Sequence, residues 1–331
     1  MRPLRSTRAL CSSSSSSPPS PSPFPSPTTK IIQPRPLPPP LINGVFSVYK
    51  PFNWTSQDVV ARVKGVLNAS YRASALALVA PPLSSSSTST SPTDGLNPQQ
   101  VWQQERKSMR RTLADGLNLQ NYNGKLPKVK VGHGGTLDPF ATGVLVIGIN
   151  SGTKAMASYL NGTKSYTAVG KFGSETDTLD LQGKVVKTDD GFDVSREALE
   201  KVLKNYVGEI EQRPPIYSAL KKNGRKLYDL ARKGEIEEND VPMRSVTIHS
   251  IELLEFANGG DTFKLSIECG GGVYIRSLIR DVGRELGTVA NMVALERSKQ
   301  GVFDLDSCIM METELGEKLT EATIYDSLIA V

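Results

Sequence analysis

The stretch from Lys130 to Gly143 (KVGHGGTLDPFATG) constrains this chain more than any other. Gly132, Gly134, Gly135 and His133 precede Asp138, and Pro139 follows it. Proline disfavours helical backbone at the residue before it, while the glycines permit close approach of backbone or ligand. The apolar run Val144 to Ile149 then predicts a buried strand, so the turn is carried on a rigid element. The arrangement presents one carboxylate on a fixed scaffold. Taken alone, Gly-x-Leu-Asp-Pro is more often a plain turn. Two other readings of the region fail. Gly148 to Lys154 has the wrong spacing and residue order for a phosphate loop, and His133 has only His249 as a companion, which disfavours zinc.

Around this turn the patterning is mixed. Gly44 to Lys50 alternates as a strand closed by Pro51, and Thr55 or Ser56 can cap a helix through Asp58 to Leu67. Strands are expected at Lys164 to Phe172, Gly183 to Thr188, Val246 to Leu254 and Thr262 to Glu268. Helices are expected at Gln99 to Leu113, Ser195 to Tyr206, Arg225 to Lys233 and Tyr274 to Leu286. An Asn223-Gly224 turn precedes the third of these. Strands without regular βαβ alternation point to an α+β fold with a mixed or antiparallel central sheet.

The 331 residues do not all belong to a core. Residues 1–43 are Ser/Pro-rich and residues 70–98 form a second low-complexity tract, within an insertion around 70–127. Neither buries enough apolar surface to offset its ordering entropy, so disorder is expected. The formal charge of +5 resides in the leader. Setting aside Arg2, Arg5, Arg8, Lys30 and Arg35 leaves 34 basic against 34 acidic residues, so bulk charge does not argue for nucleic acid. Patches matter instead. Lys221 to Lys233 holds six basic residues and one acidic, and Arg106 to Lys130 is also basic. Cys11, Cys269 and Cys308 are widely spaced, as in a reducing compartment. No apolar run reaches the roughly eighteen residues of a membrane helix. The first ten residues are rich in Arg and Ser and free of acid, as in a mitochondrial presequence.

The turn has company that makes it specific. Gly44 to Ser56 (GVFSVYKPFNWTS), the Asp138 turn with Gly152-Thr-Lys154, Lys164-Ser-Tyr166 leading into Gly173 to Asp180 (GSETDTLD), Pro214 to Lys221 (PPIYSALK) and Gly272 to Leu278 (GVYIRSL) occur in this order. Together they resemble the TruB family of tRNA pseudouridine-55 synthases, across most of residues 44–309. The resemblance implies the pseudouridine synthase fold, a central sheet with flanking helices and a catalytic cleft. It implies isomerisation of uridine to pseudouridine at position 55 in the tRNA T-loop, with no cofactor and no metal. Asn53 stands where the family usually has glycine, and Asn tolerates a left-handed backbone. Residues 310–331 are too few for the small RNA-binding PUA domain of bacterial relatives, so the catalytic domain is expected to grip RNA itself. A monomer with tRNA as partner, no membrane contact, and a place in the mitochondrion or nucleus are the remaining expectations.

The resemblance also assigns residues. Asp138 matches the catalytic Asp, Arg276 the arginine that pairs with it, and Tyr166 the tyrosine that stacks on the flipped base and is a candidate for handling the C5 proton. Tyr274 and Leu295 are expected to line the base pocket, with His133, Lys50 and Lys221 as RNA-contact or framework positions. Glu296 stands where relatives often carry arginine, which removes one expected RNA contact. One carboxylate suffices for this chemistry, whereas a glycosidase needs two and admits water. Two other readings share the motifs: an RNA-binding or tRNA-folding factor, and a guide-RNA-dependent synthase.

Overall fold

The computed structural model describes residues 42–79, 128–257, 259–311 and 319–330, with side chains described only to 71 in the first segment. The expected helix at Gln99 to Leu113 lies outside these residues, as does the presequence.

Among the described residues a ten-stranded mixed sheet forms the frame, in the order β14-β1-β3-β12-β4-β11-β10-β7. Its strands are β1 (Gly44–Lys50), β2 (Val131–His133), β3 (Thr142–Ile149), β4 (Lys164–Phe172), β7 (Gly208–Gln212), β10 (Arg244–Phe256), β11 (Thr262–Cys269), β12 (Ala290–Gln300), β13 (Phe303–Asp304) and β14 (Cys308–Met310). β2 pairs with β3 and β13 with β12. β12 runs parallel to β3 and β14 parallel to β1, while the other pairs are antiparallel. Two short hairpins stand off the sheet: β5 (Ser174–Thr176) with β6 (Val185–Thr188), and β8 (Lys221–Lys222) with β9 (Arg225–Lys226). No helix among the described residues is long and apolar enough to cross a membrane.

Separate apolar clusters cover the two halves of the sheet. Around β1 and β3, helix α1 (Ser56–Val79) seats Val59, Val63 and Leu67 against Phe46, Val48, Leu145 and Ile147. The opposite face of β3 is covered too, where Val144 and Val146 meet Met156 of α2 (Met156–Asn161) and Phe303. A strand buried on both faces reads as a continuous apolar run, as Val144 to Ile149 does. Around β4, β10, β11 and β12, helices α3 (Arg196–Lys204) and α5 (Ile275–Glu285) contribute Leu199, Leu203, Leu278, Ile279 and Val282. Leu227 and Leu230 of helix α4 (Leu227–Arg232) form a smaller cluster with Ile236 and Val241.

Several expectations need adjusting. Helix α1 continues past Leu67 to Val79, into the tract read as low complexity, and the Tyr71 hydroxyl accepts a hydrogen bond from the Ile42 amide at 3.0 Å. Arg225 and Lys226 belong to the hairpin rather than to the helix, because the Asn223-Gly224 turn, both residues at positive φ, folds them back on Lys221 and Lys222. Described residues after 309 also pack on the fold. Met311, Leu319 and Ile324 enter the α1 cluster, with Ile324 on α6 (Glu321–Asp326), and Ile329 bridges to Val45.

Candidate active site

The β1–α1 connection shapes the ground behind Asp138. Asn53 sits at φ 64°, the left-handed geometry expected of it. Thr55 and Asp58 cap α1 reciprocally: the Asp58 amide donates to Thr55 Oγ1 at 3.0 Å, and the Thr55 amide to Asp58 Oδ2 at 2.9 Å. With Thr55 serving as cap, the Ser56 hydroxyl is left for the turn. It accepts from the Leu137 amide at 2.9 Å and lies 3.2 Å from the Leu137 carbonyl.

Lys50 completes this support, on the framework side of its two expected roles. Its side chain is fully buried, and its ammonium donates to the carbonyls of Pro51, Trp54 and Pro139 at 2.8, 2.6 and 3.0 Å. A cation enclosed by three carbonyls has no face for an RNA phosphate, so Lys50 belongs to the framework. Burial lowers its pKa to about 8, with the Asp138 charge pulling the other way.

In front of the turn stands Arg276, in the first turn of α5. Its Nε lies 2.9 Å from Asp138 Oδ2 and its Nη2 donates to Asp138 Oδ1 at 3.2 Å, a two-pronged grip that fixes the plane of the carboxylate. The remaining donors of the guanidinium reach the carbonyls of Thr178 and Tyr217 at 2.7 and 3.0 Å, and Asp180 Oδ2 at 3.5 Å. Asp138 keeps 30% of its side chain exposed, whereas that of Arg276 is 5% exposed. The carboxylate is therefore both anchored and reachable.

Asp180 is a second carboxylate on the same arginine, with a role not anticipated from the sequence. It accepts from Thr178 Oγ1 at 2.6 Å and from the Gln182 amide at 2.9 Å. Burial raises its pKa, opposed by the Thr178 hydrogen bond and by Arg276. Its signal was the Thr-Asp-Thr-Leu-Asp spacing in the third block, where the terminal Asp carries no mark distinguishing it from a turn residue.

A cavity of about 340 Å³ opens over Asp138. Tyr166, Tyr274, Leu295, Arg276, Lys164 and Arg297 contribute to its lining. The structure thus gathers Asp138, Arg276, Tyr166, Tyr274 and Leu295 into one place. His133 is outside this lining. It lies on β2, where its Nδ1 accepts from the Gly135 amide at 3.3 Å, and burial followed by the Arg297 charge lowers its pKa. Lys221 is exposed on the β8–β9 hairpin, next to Leu220 of the lining.

Arg297 was missed, because the strand that carries it was not anticipated. In a strand, residues two apart share a face, so Leu295 places Arg297 in the cavity and sends Glu296 the other way. Glu296 accepts from the Tyr49 hydroxyl at 2.9 Å. The Arg297 guanidinium donates to the Val144 carbonyl at 2.6 Å and weakly to that of Gly135 at 3.4 Å. Gly143 makes this crossing possible: at φ 103°, a Cβ there would come within 2.3 Å of the Arg297 carbonyl oxygen. Burial holds the Tyr166 phenol above its ordinary pKa, with Arg297 opposing. Lys164 donates to the Leu160 and Gly162 carbonyls at 2.9 and 2.7 Å, and burial, then Arg297, lowers it to about 8.

Known proteins resemble this chain in sequence over most of its length. Residues 123–275 match the family described as TruB family pseudouridylate synthase (N terminal domain). Human "Pseudouridylate synthase TRUB1" is 39% identical over 271 residues, covering 82% of this chain and 64% of the relative. The chain thus spans under two thirds of that relative's length. "tRNA pseudouridine synthase B" of Bordetella parapertussis is 46% identical over 202 residues, covering 60% of this chain and 81% of the relative. Among solved structures, a chain of a Cbf5-Nop10-Gar1 complex is 25% identical with a TM-score of 0.49, covering 81% of this chain and 52% of that one. On the sequence relatives and the matched family, this chain belongs to the TruB family of pseudouridylate synthases.

Proposed function

We propose that this chain isomerises uridine to pseudouridine in the T-loop of tRNA, at position 55, using Asp138 as the nucleophile on a flipped-out base. The observation carrying this reading is the Asp138 carboxylate, held in two-pronged fashion by Arg276 at an open cavity. The relatives named as pseudouridine synthases support the substrate class.

The reaction breaks the N1–C1′ bond, turns the uracil, and joins C5 to C1′, with the C5 hydrogen leaving as a proton. It is redox-neutral and consumes no second substrate. An anchored carboxylate suits it by capturing or stabilising the electron-poor C1′ without losing its aim. Arg276 sets a fixed positive charge against Asp138 and holds the plane of its carboxylate. Tyr166 offers a flat face for the extruded base, and Leu295 and Tyr274 enclose it. Because burial holds the Tyr166 phenol protonated, transfer of the C5 proton through it depends on the neighbouring Arg297, which favours the phenolate.

RNA grip is assigned to the exposed basic hairpin with Lys221, beside the cavity, and His133 to support of the turn. Residues 44–309 with the packed tail form the proposed catalytic unit, acting as a monomer. The acid-free, Arg-rich leader supports a mitochondrial location, with the nucleus as the alternative that a tagged full-length chain would reveal.

The test uses a T-arm RNA carrying uridine tritiated at C5. Release of tritium to water, with pseudouridine recovered after digestion, is expected. Tight binding without release would instead favour an RNA-folding factor of the same fold.

A further inference from the structure

Within the PPIYSALK segment one hydroxyl is unaccounted for. Ser218 is 5% exposed, and its Oγ has no hydrogen-bond partner among the described residues. Buried polar groups in native proteins are nearly always paired, so an orphan calls for an explanation. Burial holds the Tyr274 phenol above its ordinary pKa, and Ser218 is close enough to oppose this, but the two do not meet in hydrogen-bonding geometry.

The position of Ser218 supplies the explanation. It lines the cavity over Asp138 together with Tyr166, Tyr274 and Leu295. Its backbone is held on both sides. The Tyr217 carbonyl accepts from Arg276 Nη2 at 3.0 Å, and the Ser218 carbonyl accepts from the Tyr228 amide at 3.2 Å. The guanidinium that aims Asp138 thus also sets where Ser218 stands. The apolar part of the lining, including Leu137, Val273 and Leu295, has no use for a hydroxyl.

We infer that Ser218 Oγ is a substrate-contacting group, which makes a hydrogen bond to the polar edge of the pyrimidine that enters the cavity. A hydroxyl both donates and accepts, so it can serve a ring carbonyl or the ring N–H. The inference rests on the reading of the cavity as a site for an extruded base, and it concerns binding of that base rather than bond breaking.

The experiment compares wild type, Ser218→Ala and Ser218→Thr on two T-arm hairpins, one with uridine at the target position and one abasic there. Affinity for each hairpin is measured alongside tritium release from the uridine hairpin. Loss of one neutral hydrogen bond is expected to weaken uridine-hairpin affinity about tenfold in Ser218→Ala. The abasic affinity should stay unchanged, and Ser218→Thr should recover most of the loss. Equal weakening on both hairpins, or none on either, overturns the inference. If wild type releases no tritium yet the hydroxyl still discriminates uridine from the abasic hairpin, the proposed isomerisation falls and the contact stands. Matching unfolding midpoints for the three proteins would show that the fold is not the cause.

Discussion

Two buried cations hold the Asp138 turn, one from each side, and they do different work. Behind the turn, Lys50 meets only carbonyl oxygens, three of them, and fixes the backbone at Pro139. In front, Arg276 meets two carboxylates and two carbonyls, and fixes a side chain. Both are within a few per cent of complete burial. The difference lies in geometry. A compact ammonium satisfies convergent carbonyls, while a planar guanidinium fits a carboxylate edge and keeps spare donors for the scaffold. Burial moves the lysine's protonation into the mildly alkaline range, to about 8. The comparison separates support of the turn from aim of the carboxylate, and each side predicts a distinct failure.

The largest effect should come from the front. Arg276→Lys loses the fork on Asp138 and is expected to lower the rate of tritium release about 10²- to 10³-fold, by analogy with removal of a preorganised charge partner. RNA affinity should change far less. A loss confined to affinity would mean that Arg276 only holds substrate. From behind, Lys50→Met leaves three carbonyls without a donor and should cost on the order of 3 kcal/mol of stability. Urea unfolding measures this, and the activity of the protein that remains folded should stay within about tenfold of wild type. A stable but inactive Lys50→Met would return Lys50 to the chemistry.

Asp180→Asn comes next. It keeps the shape but removes the second anion from Arg276, and about a tenfold fall in tritium release is expected, read at constant RNA saturation. The smallest effect is a pH dependence. Because the folded pKa of Lys50 lies below its unfolded value of about 10.5, the folded protein binds fewer protons between roughly pH 8 and 10.5. The Lys50 contribution to stability therefore rises with pH across that window. The gap in urea midpoint between wild type and Lys50→Met should widen from pH 8 to pH 10. A gap that narrows would show that the lysine is stabilised as a cation by its carbonyls more than burial disfavours it.

How much of this was legible in the sequence depends on how each residue earns its place. β1, β4 and the cap and turn chemistry at Asn53, Thr55 and Ser195 follow from local patterning, which the chain carries in neighbouring residues. The Asp138–Arg276 pairing came through the family resemblance, since the two lie 138 positions apart and no local rule joins them. Strand β12 was not anticipated, because its Ala, Asn, Met, Glu and Lys residues lack the β-branched enrichment that marks a strand. With that strand unseen, Arg297 had no face. The choice between RNA contact and framework at Lys50 stayed open for a related reason: a lysine beside Pro reads either way until the carbonyls that enclose it are brought from Trp54 and Pro139. Asp180 and Ser218 sat in quoted motifs, yet only the folded neighbourhood gives them partners, or in Ser218 the want of one.

The most direct test of the account is tritium release by Asp138→Asn, set beside wild type under single-turnover conditions on the same T-arm RNA. The substitution keeps the shape but removes the charge and one of the two oxygens that accept from Arg276. The account predicts unchanged unfolding and RNA binding with tritium release lost to background. Release within about tenfold of wild type, a difference of only ~1.4 kcal/mol in the barrier, would contradict it.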